Sequence, residues 1–383
     1  MKSPRVLFLV TDDRYFISHR LPMARAAKAA GYEVHVATHI SRFEDAIKAE
    51  GFVLHVLSWE KAGQTPFTLA RDVLIIRRLY RSVRPEIVNH VALKPVILGM
   101  LAAIGLGMAK VNIITGLGSG FIGRDWKGRI LKSVLVAALR MLLNSSRTVS
   151  VVQNRDDRET LISIGINPGT VNLILGSGID IHNTKPLAEP SGPITVGITS
   201  RMLDDKGIRP LVAAQSILQA RGLDIRLLLA GEPDPTNRST LSEAEMRAFA
   251  AMPGIEWLGH IEDVKTVWER AHIAALPSRR EGLPKSLLEA AAFGRPIIAT
   301  NVPGCREVAR HRENALLVPV DDAAALAHAI ETLANDPELR ETFGSTGRRS
   351  VETHFSSAVI GSQIVEIYAK LAPPPLDARQ AWH

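Results

Sequence analysis

Short apolar runs rich in β-branched residues alternate along the chain with longer segments in which apolar residues recur every three or four positions. The first pattern predicts buried strands, and the second predicts amphipathic helices such as Leu21–Ala30 and Thr68–Ser82. In the first half, the predicted strands are Val6–Val10, Glu33–Thr38, Phe52–Leu57, Glu86–Val91, Val111–Ile114 and Thr148–Val152. Strands that alternate with helices favour a mostly parallel sheet covered by helices on both faces.

The same alternation starts again in the second half of the chain. Its predicted strands are Ile194–Thr199, Ile225–Ala230, Ile255–Leu258, Ile273–Pro277, Pro296–Thr300 and Ala315–Val318. We therefore predict an α/β protein with two Rossmann-like, doubly wound domains, in agreement with a length of 383 residues. Open α/β sheets bind ligands at the carboxyl ends of their strands, so two such sheets facing each other would enclose a ligand cleft.

Glycine and proline interrupt the periodicity at Gly176–Asp180 and again at Pro186–Pro193, which is typical of a domain boundary. The predicted domains are residues 1–180 and 181–360. Residues 361–383 are expected to form a helix and tail that pack back on the first domain.

The composition is that of a folded globular protein, with 46% hydrophobic and 22% charged residues. The net charge of +7 is uneven, because residues 1–180 contain 24 lysines and arginines against 14 acidic residues. A first half this basic favours an anionic partner such as phospholipid, a phosphorylated substrate or nucleic acid. The aromatic content of 5% speaks against nucleic acid, because single strands are held by stacking on aromatic rings.

Nothing in the chain predicts export, a membrane span or a metal site. The single cysteine, Cys305, excludes an intramolecular disulfide and fits a reducing cytosol. The first apolar run leads straight into Asp12-Asp13-Arg14, so no signal peptide is expected. The longest apolar run, Val96–Ala109, is shorter than the roughly 20 residues that span a bilayer. Because the chain has no Asp-x-Asp pair, we expect catalysis without a metal or another cofactor.

The segment Gly118–Arg147 departs from the simple alternation. It contains an apolar predicted helix, Arg129–Asn144, that carries Arg129, Lys132 and Arg140. One interpretation is a core helix with a solvated basic edge, and the other is a helix that lies on a membrane surface. The basic first half favours the second, with the cations facing lipid phosphates at the inner face of the cytoplasmic membrane.

The stretch Arg280–Ala291 carries the sharpest chemical signal. Glu281-Gly282-Leu283-Pro284 predicts a helix entrance, where amide groups and the helix dipole favour an anion. Glu289 lies two turns after Glu281, so both carboxylates are expected on one helix face. This arrangement favours a ligand that is both negatively charged and sugar-bearing.

Two cations precede this stretch in the same predicted domain. Arg201 follows the strand Ile194–Thr199, and Lys206-Gly207 would close a turn before the next helix. A guanidinium fork and a lysine point charge together suit adjacent phosphates. Alone, such a turn is more often plain surface. Leu258 ends a predicted strand, Gly231 and Gly259 each follow one, and all three are further candidates to line the ligand site.

The first half offers weaker candidates. His90 ends a predicted strand beside Lys94, and it is either structural or placed to move a proton. Ser18, His19 and Arg20 precede a helix and are candidates to meet an anion. Thr115–Gly120, which includes Gly118, lacks the dinucleotide fingerprint and is interpreted as a flexible acceptor loop.

With these residues in hand, the chain resembles the retaining glycosyltransferases of family four, which have the GT-B fold. The resemblance rests on Arg201, Lys206-Gly207, Glu281–Pro284 and Glu289, and it extends over nearly the whole chain. Further motifs resemble a bacterial subgroup that builds surface polysaccharides or lipid-linked oligosaccharides, similar to the N-acetylgalactosaminyltransferase that extends undecaprenyl-diphospho-bacillosamine. They are Phe16–Pro22, Gly116–Gly118, Gln153-Asn154 with Asp157, and Val302–Glu307. Thr11–Arg14 replaces the Gly-Gly loop that the family has after its first strand.

The resemblance implies roles for these residues. Arg201 and Lys206 would hold the donor diphosphate with help from the backbone amides around Gly282–Pro284. Glu289 would bind the ribose, Glu281 the donor sugar, and Leu258 and Gly259 the base, beside Gly231. His90 is the nearest match to the family's first-domain histidine, and Glu281, His90, Arg201 and Lys206 form the predicted catalytic set. Ser18, His19, Arg20, Lys94, Gly118 and Asn154 would lie toward the acceptor.

The implied reaction is a retaining, metal-independent transfer of a hexose or N-acetylhexosamine from a UDP-sugar to a polyprenyl-diphosphate-linked sugar. Two alternatives remain within the same fold: a sugar-nucleotide epimerase, and a transferase that uses a GDP-sugar and a soluble acceptor. A third alternative is a protein that binds a nucleotide sugar or nucleic acid without catalysis. The paired glutamates and the cationic turn favour catalysis over binding alone.

Overall fold

The computed structural model describes residues 3–59, 65–117 and 126–374. The chain divides into two compact units, one formed by Met1–Gly178 with Ser357–His383 and the other by Ile179–Ser356. The chain thus passes between units after Gly178 and after Ser356, where the sequence predicts residues 180 and 360. Gly178 has φ +83, and a Cβ there would lie 2.8 Å from Ser357 Cα, so the two passages lie side by side.

The first unit contains a parallel sheet of seven strands in the order β3-β2-β1-β4-β5-β6-β7. The strands are β1 Arg5–Asp12, β2 Glu33–His39, β3 Val53–Val56, β4 Ile87–Val91, β5 Ala109–Ile114, β6 Thr148–Val152 and β7 Val171–Leu173. Every residue of β4 and β5 is buried, including the polar residues Asn89, His90, Lys110 and Asn112. The three-residue strand β7 is too short to stand out in the sequence pattern.

The helices of this unit cover both faces of the sheet. They are α1 Asp13–His19, α2 Leu21–Ala29, α3 Glu44–Ala49, α4 Pro66–Val83, α5 Leu93–Ala102, α6 Trp126–Leu143 and α7 Arg155–Ser163. On one face, α4 and α6 each pack against α5, so the three helices form one layer. The predicted helix Arg129–Asn144 corresponds to α6, whereas residues 118–125 lie outside the described residues.

The second unit contains a parallel sheet of six strands in the order β10-β9-β8-β11-β12-β13. The strands are β8 Thr195–Thr199, β9 Arg226–Ala230, β10 Ile255–Gly259, β11 Ile273–Leu276, β12 Ile297–Thr300 and β13 Ala315–Val318. The helices are α8 Ile208–Ala220, α9 Glu243–Ala250, α10 Lys265–Trp268, α11 Lys285–Ala292, α12 Pro303–Val308, α13 Ala323–Asn335 and α14 Pro337–Ser350. This strand order reverses beside β8, so a crevice opens between the carboxyl ends of β8 and β11.

The last described helix, α15 Ser357–Leu371, belongs to the first unit. It packs on α2, and Ile360, Ile364 and Tyr368 join the core of that unit. Two doubly wound parallel sheets confirm the predicted α/β class. Among the described residues, no helix is long and apolar enough to cross a bilayer.

Candidate functional site

A close ion pair occupies the crevice between β8 and β11. Lys206 ends the short helical turn Asp204–Lys206 that follows β8, and Glu281 follows β11. Lys206 Nζ lies 2.6 Å from Glu281 Oε1, and the two side chains are only 21% and 10% exposed. The structure therefore brings together two of the predicted catalytic residues at the point where open α/β sheets bind ligands.

The glycine after Lys206 allows this approach. Gly207 has φ +74 and is the N-cap of α8. A Cβ at this position would lie 2.1 Å from the carbonyl oxygen of Pro277, at the end of β11. Because a side chain has no room there, only glycine lets the Lys206 turn lie against the β11 loop.

Hydrogen bonds from neighbouring loop and strand residues hold the Glu281 carboxylate in place. Ser278 Oγ donates a hydrogen bond to Glu281 Oε1 at 2.7 Å, and Thr300 Oγ1 donates to the Ser278 carbonyl. Burial and the nearby Glu281 carboxylate raise the pKa of the Cys305 thiol far above its usual range, so this thiol stays neutral. The carboxylate of Glu281 is thus positioned by Ser278 in the loop after β11, which Thr300 at the end of β12 holds in turn.

The helix entrance differs from the prediction in one respect. The helix α11 begins at Lys285 with Pro284 as N-cap, so Glu281 lies in the loop before the helix. Glu281 and Glu289 therefore do not share a helix face, because the bend at Gly282 and Leu283 separates them. Glu289 instead pairs with Lys285 at 2.8 Å along α11 and is 18% exposed.

A neighbouring helix closes on this loop. The segment Val302–Glu307, which matches a motif of the family, forms the N-cap and most of the helix α12. A Cβ on Gly304 would lie 2.5 Å from the Gly282 carbonyl oxygen and 2.6 Å from that of Glu281. The glycine lets α12 pack directly on the backbone of the Glu281 loop and restrict its conformation.

Arg201 follows β8 at the same edge of the sheet, but its side chain does not join the Lys206–Glu281 pair. Its Nη1 is 2.6 Å from Asp234 Oδ2 in the loop after β9, and its side chain is 58% exposed. A hydrogen bond from Thr236 and the Arg201 guanidinium lower the pKa of Asp234. In this structure Arg201 therefore faces Asp234 rather than Glu281.

The remaining donor-site candidates lie at the ends of adjacent strands. Gly231 has φ +137, and a Cβ there would lie 1.8 Å from the Ser200 carbonyl oxygen. The Gly231 amide donates to the Gly259 carbonyl at 2.7 Å, and Trp257 Nε1 donates to the Gly231 carbonyl at 2.8 Å. Gly231, Leu258 and Gly259 thus lie on one sheet edge with Arg201.

The prediction that His90 faces a ligand at a strand end is wrong. His90 lies within β4 and is fully buried. One ring nitrogen is 2.8 Å from Tyr80 Oη and the other 2.7 Å from Asn112 Oδ1. Burial lowers the pKa of His90 to about 4, so the ring is neutral near pH 7. Both nitrogens are occupied in the core, and the residue has no access to a reacting atom.

Ser18, His19 and Arg20 also occupy other places than predicted. Ser18 and His19 lie inside α1, where Ser18 Oγ is 2.6 Å from His19 Nδ1. Arg20 is fully buried, and its guanidinium donates to Tyr15 Oη at 3.2 Å and to Met23 Sδ at 3.6 Å. A guanidinium enclosed in this way does not meet an anion at the helix entrance.

The other acceptor-side candidates have structural roles where they are described. Lys94 Nζ lies 5.2 Å from the centre of the Trp59 ring, a cation–π arrangement. Asn154 is buried and caps α7, accepting a hydrogen bond from the Asp157 amide at 2.7 Å. Gly118 lies outside the described residues. Across residues 3–59, 65–117 and 126–374, no group of three or more histidine, cysteine or acidic residues is placed to hold a metal.

The structure adds a residue that the sequence analysis did not select. Arg279 precedes Glu281 by two positions, and its Nε lies 2.8 Å from Asp321 Oδ2. Its Nη1 forms an ion pair with Asp204, the first residue of the Lys206 turn, and its amide donates to the Asp205 carbonyl at 2.9 Å. The only signal in the sequence that could have identified Arg279 is its position close to Glu281. Its partners could not be predicted, because they lie far away along the chain.

Comparison with known proteins gives consistent matches over both units. Residues 193–336 match the family described as Glycosyl transferases group 1, and residues 5–154 match Glycosyl transferase 4-like. The capsular polysaccharide biosynthesis glycosyltransferase CapM of Staphylococcus aureus is 25% identical, over 96% of this chain and 97% of CapM. The N,N'-diacetylbacillosaminyl-diphospho-undecaprenol alpha-1,3-N-acetylgalactosaminyltransferase of Campylobacter jejuni is 21% identical, over 96% and 99% of the two chains.

Solved structures agree on the fold. Sucrose-phosphate synthase from Thermosynechococcus elongatus superposes with a TM-score of 0.81 at 20% identity, covering 96% of this chain and 99% of its own. HepE from Anabaena, solved with UDP and glucose, has a TM-score of 0.77 at 17% identity with the same coverage. These neighbours confirm the GT-B fold. By its two family matches and its relatives, the chain belongs to the glycosyltransferases of group 1 and family four, and it is a transferase enzyme.

Proposed function

We propose that this chain is a retaining, metal-independent glycosyltransferase of surface polysaccharide or lipid-linked oligosaccharide assembly. It would move a hexose or N-acetylhexosamine from a UDP-sugar to a polyprenyl-diphosphate-linked sugar. The observation that carries the proposal is the Lys206–Glu281 pair, 2.6 Å apart between β8 and β11. The names of CapM and of the Campylobacter transferase, which include capsular polysaccharide and a diphospho-undecaprenol acceptor, support the assignment.

The donor would lie across the edge of the second sheet. Lys206 would hold its diphosphate together with Arg201, whose exposed guanidinium would turn from Asp234 to the ligand. The amides at the start of α11 would add to the positive potential. Glu281 would accept a hydrogen bond from a hydroxyl of the donor sugar while its other partner, Ser278, keeps it oriented. HepE, which has been solved with UDP-glucose, supports the proposal that the donor nucleotide is UDP.

Charge development during transfer explains why cations suffice. As the bond between the anomeric carbon and phosphate lengthens, negative charge grows on the leaving diphosphate. Lys206 is already fixed by Glu281 and needs little reorganisation to stabilise that charge. The acceptor hydroxyl would attack from the same face, and the leaving phosphate oxygen would take its proton, so configuration is retained.

The lipid-linked acceptor implies that the protein works at a membrane surface. The excess of 24 basic over 14 acidic residues in residues 1–180 supports an anionic surface as partner. The helix α6, with exposed Arg129, Lys132 and Arg140, supports contact through the first unit. The proposed location is the inner face of the cytoplasmic membrane.

The decisive experiment first screens UDP- and GDP-sugars for thermal stabilisation, because a ligand that binds only the folded state raises the melting temperature. The best donor is then incubated with a synthetic polyprenyl-diphosphate-linked sugar, and the product anomer is determined by NMR. We expect transfer with retention, unaffected by a chelator. Conversion of the donor without any acceptor would instead identify an epimerase, and transfer only from GDP-sugars would overturn the uridine assignment.

A further inference from the structure

The helix α4 shows two contrasting faces. Its inner face buries Asp72, Ile76, Tyr80 and Val83 within the first unit. Arg77 Nη1 donates to the carbonyls of Ala102 and Ile104 at 2.8 Å and 2.6 Å, which fixes α4 on α5. The opposite side, here named the α4 outer face, is formed by the exposed residues Phe67, Arg71, Leu74, Arg78 and Arg81. Their spacing of three and four positions places them on one side of the helix.

Large apolar side chains on this face are left in solvent. The side chains of Phe67 and Leu74 are 80% and 53% exposed, two helical turns apart. A single exposed apolar residue is ordinary on a protein surface. Two on one helix face, with Arg71 between them, indicate a surface that something covers.

The same face is strongly cationic. It carries Arg71, Arg78 and Arg81, whereas the one acidic residue of α4, Asp72, is buried. Arg71 lies 3.6 Å from Asp72, but no acidic side chain of the described residues pairs with Arg78 or Arg81. The partner must therefore supply negative charge and tolerate apolar contact.

The helix α6 shows the same combination in the same layer. Its side chains Val134 and Met141 are 61% and 66% exposed, and Lys132 and Arg140 are exposed beside them. Ile104, which follows α5 and accepts a hydrogen bond from Arg77 of α4, is 57% exposed. Because α4 and α6 both pack on α5, their outer faces belong to one side of the unit.

We propose that the α4 outer face, together with that of α6, docks on a bilayer that contains anionic phospholipid. Phe67 and Leu74 would enter the boundary between headgroups and acyl chains, and the arginines would reach the phosphates. A second copy of this chain fits poorly, because two faces of the same positive sign repel. The proposal rests on the proposed function for its membrane setting and assigns the contact mainly to α4.

Vesicle sedimentation of the full chain tests the docking without donor or acceptor. Wild type should bind phosphatidylcholine vesicles containing phosphatidylglycerol, bind poorly to phosphatidylcholine alone, and release at high salt. R78Q/R81Q should bind about 25-fold more weakly, since each cation near an anionic surface contributes about fivefold. The control R226Q/R349Q removes the same charge from exposed positions of the second unit and should bind as wild type.

A second variant separates insertion from charge. F67S/L74S should weaken vesicle binding and leave its salt dependence in place, with a melting temperature close to that of wild type. The proposal is overturned if wild type ignores anionic vesicles, or if R78Q/R81Q and its control bind equally. It is also overturned if wild type self-associates and R78Q/R81Q does not. Because no sugar is transferred in this assay, its failure leaves the catalytic proposal separately testable.

Discussion

Lys206 Nζ and Glu281 Oε1 lie 2.6 Å apart, although 75 positions separate the two residues in the chain. The two residues follow β8 and β11, adjacent parallel strands, and meet because the strand order reverses there. A lysine that is only 21% exposed and is held by a carboxylate is already oriented before a ligand binds. This pair is the physical basis of the first prediction.

Lys206→Ala should lower kcat by about 100- to 1,000-fold, the range for removing one preorganised group that stabilises developing charge. Steady-state kinetics with the donor identified by the thermal screen measures this effect. The control Lys265→Ala removes an exposed lysine on α10 that pairs with Glu269, the residue after that helix, and it should leave kcat unchanged. Near-normal turnover by Lys206→Ala would remove this lysine from the reaction.

Gly207→Ala should destabilise the second unit and reduce transfer together. A Cβ would meet the Pro277 carbonyl at 2.1 Å in a left-handed conformation, so we expect a loss of about 3 kcal/mol in the free energy of unfolding. Gly222→Ala is the matched control, because Gly222 has φ +81 and nothing within 4 Å of a Cβ. Its cost should be about 1 to 2 kcal/mol, from backbone strain alone. Equal losses in a denaturant titration would show that the contact with Pro277 does not matter.

His90→Gln should change the pH dependence of stability rather than the rate of transfer. The folded pKa of about 4 lies below the ordinary value of 6.5, so protons bind the unfolded chain first. The stability that this neutral histidine contributes is therefore complete above about pH 6.5 and is lost as the pH falls through 4. The loss amounts to about 3 kcal/mol for this group. In denaturant titrations at several pH values, the free energy of unfolding of wild type should fall by this amount between pH 6.5 and 4, and that of His90→Gln should not. A large fall in kcat on His90→Gln would contradict the structural role.

Arg279→Ala should weaken catalysis more than stability. Arg279 ties Asp204, at the start of the Lys206 turn, to Asp321. We expect kcat/KM to fall roughly tenfold or more, because small misplacements of a catalytic group are costly. The free energy of unfolding should change by less than about 1 kcal/mol, as is usual for exposed ion pairs. Arg221→Ala breaks a comparable exposed pair with Glu331 and should affect neither quantity. A rate unchanged by Arg279→Ala would exclude the positioning role.

The strands were largely predictable because buried parallel strands leave short runs of mostly apolar, often β-branched residues. Thr148–Val152 and Ala315–Val318 have the predicted bounds, and most others differ by one or two residues. The Glu281 loop and the Lys206 turn were likewise recognisable from local residues. The prediction that Glu281 and Glu289 share a helix face was wrong, because the helix begins only at Lys285, after Pro284.

Sequence alone determined the fold class, the restart of the pattern in the second half, and the cationic turn and acidic loop of the candidate site. These features depend on local residue order, on hydrophobic periodicity and on the turn chemistry of glycine and proline. Tertiary structure alone decided that Lys206 meets Glu281, that Arg201 turns to Asp234, and that His90 and Arg20 are enclosed in the core. Those outcomes depend on which strands become neighbours and how helices pack on them, and such long-range pairings leave no periodic trace in the chain.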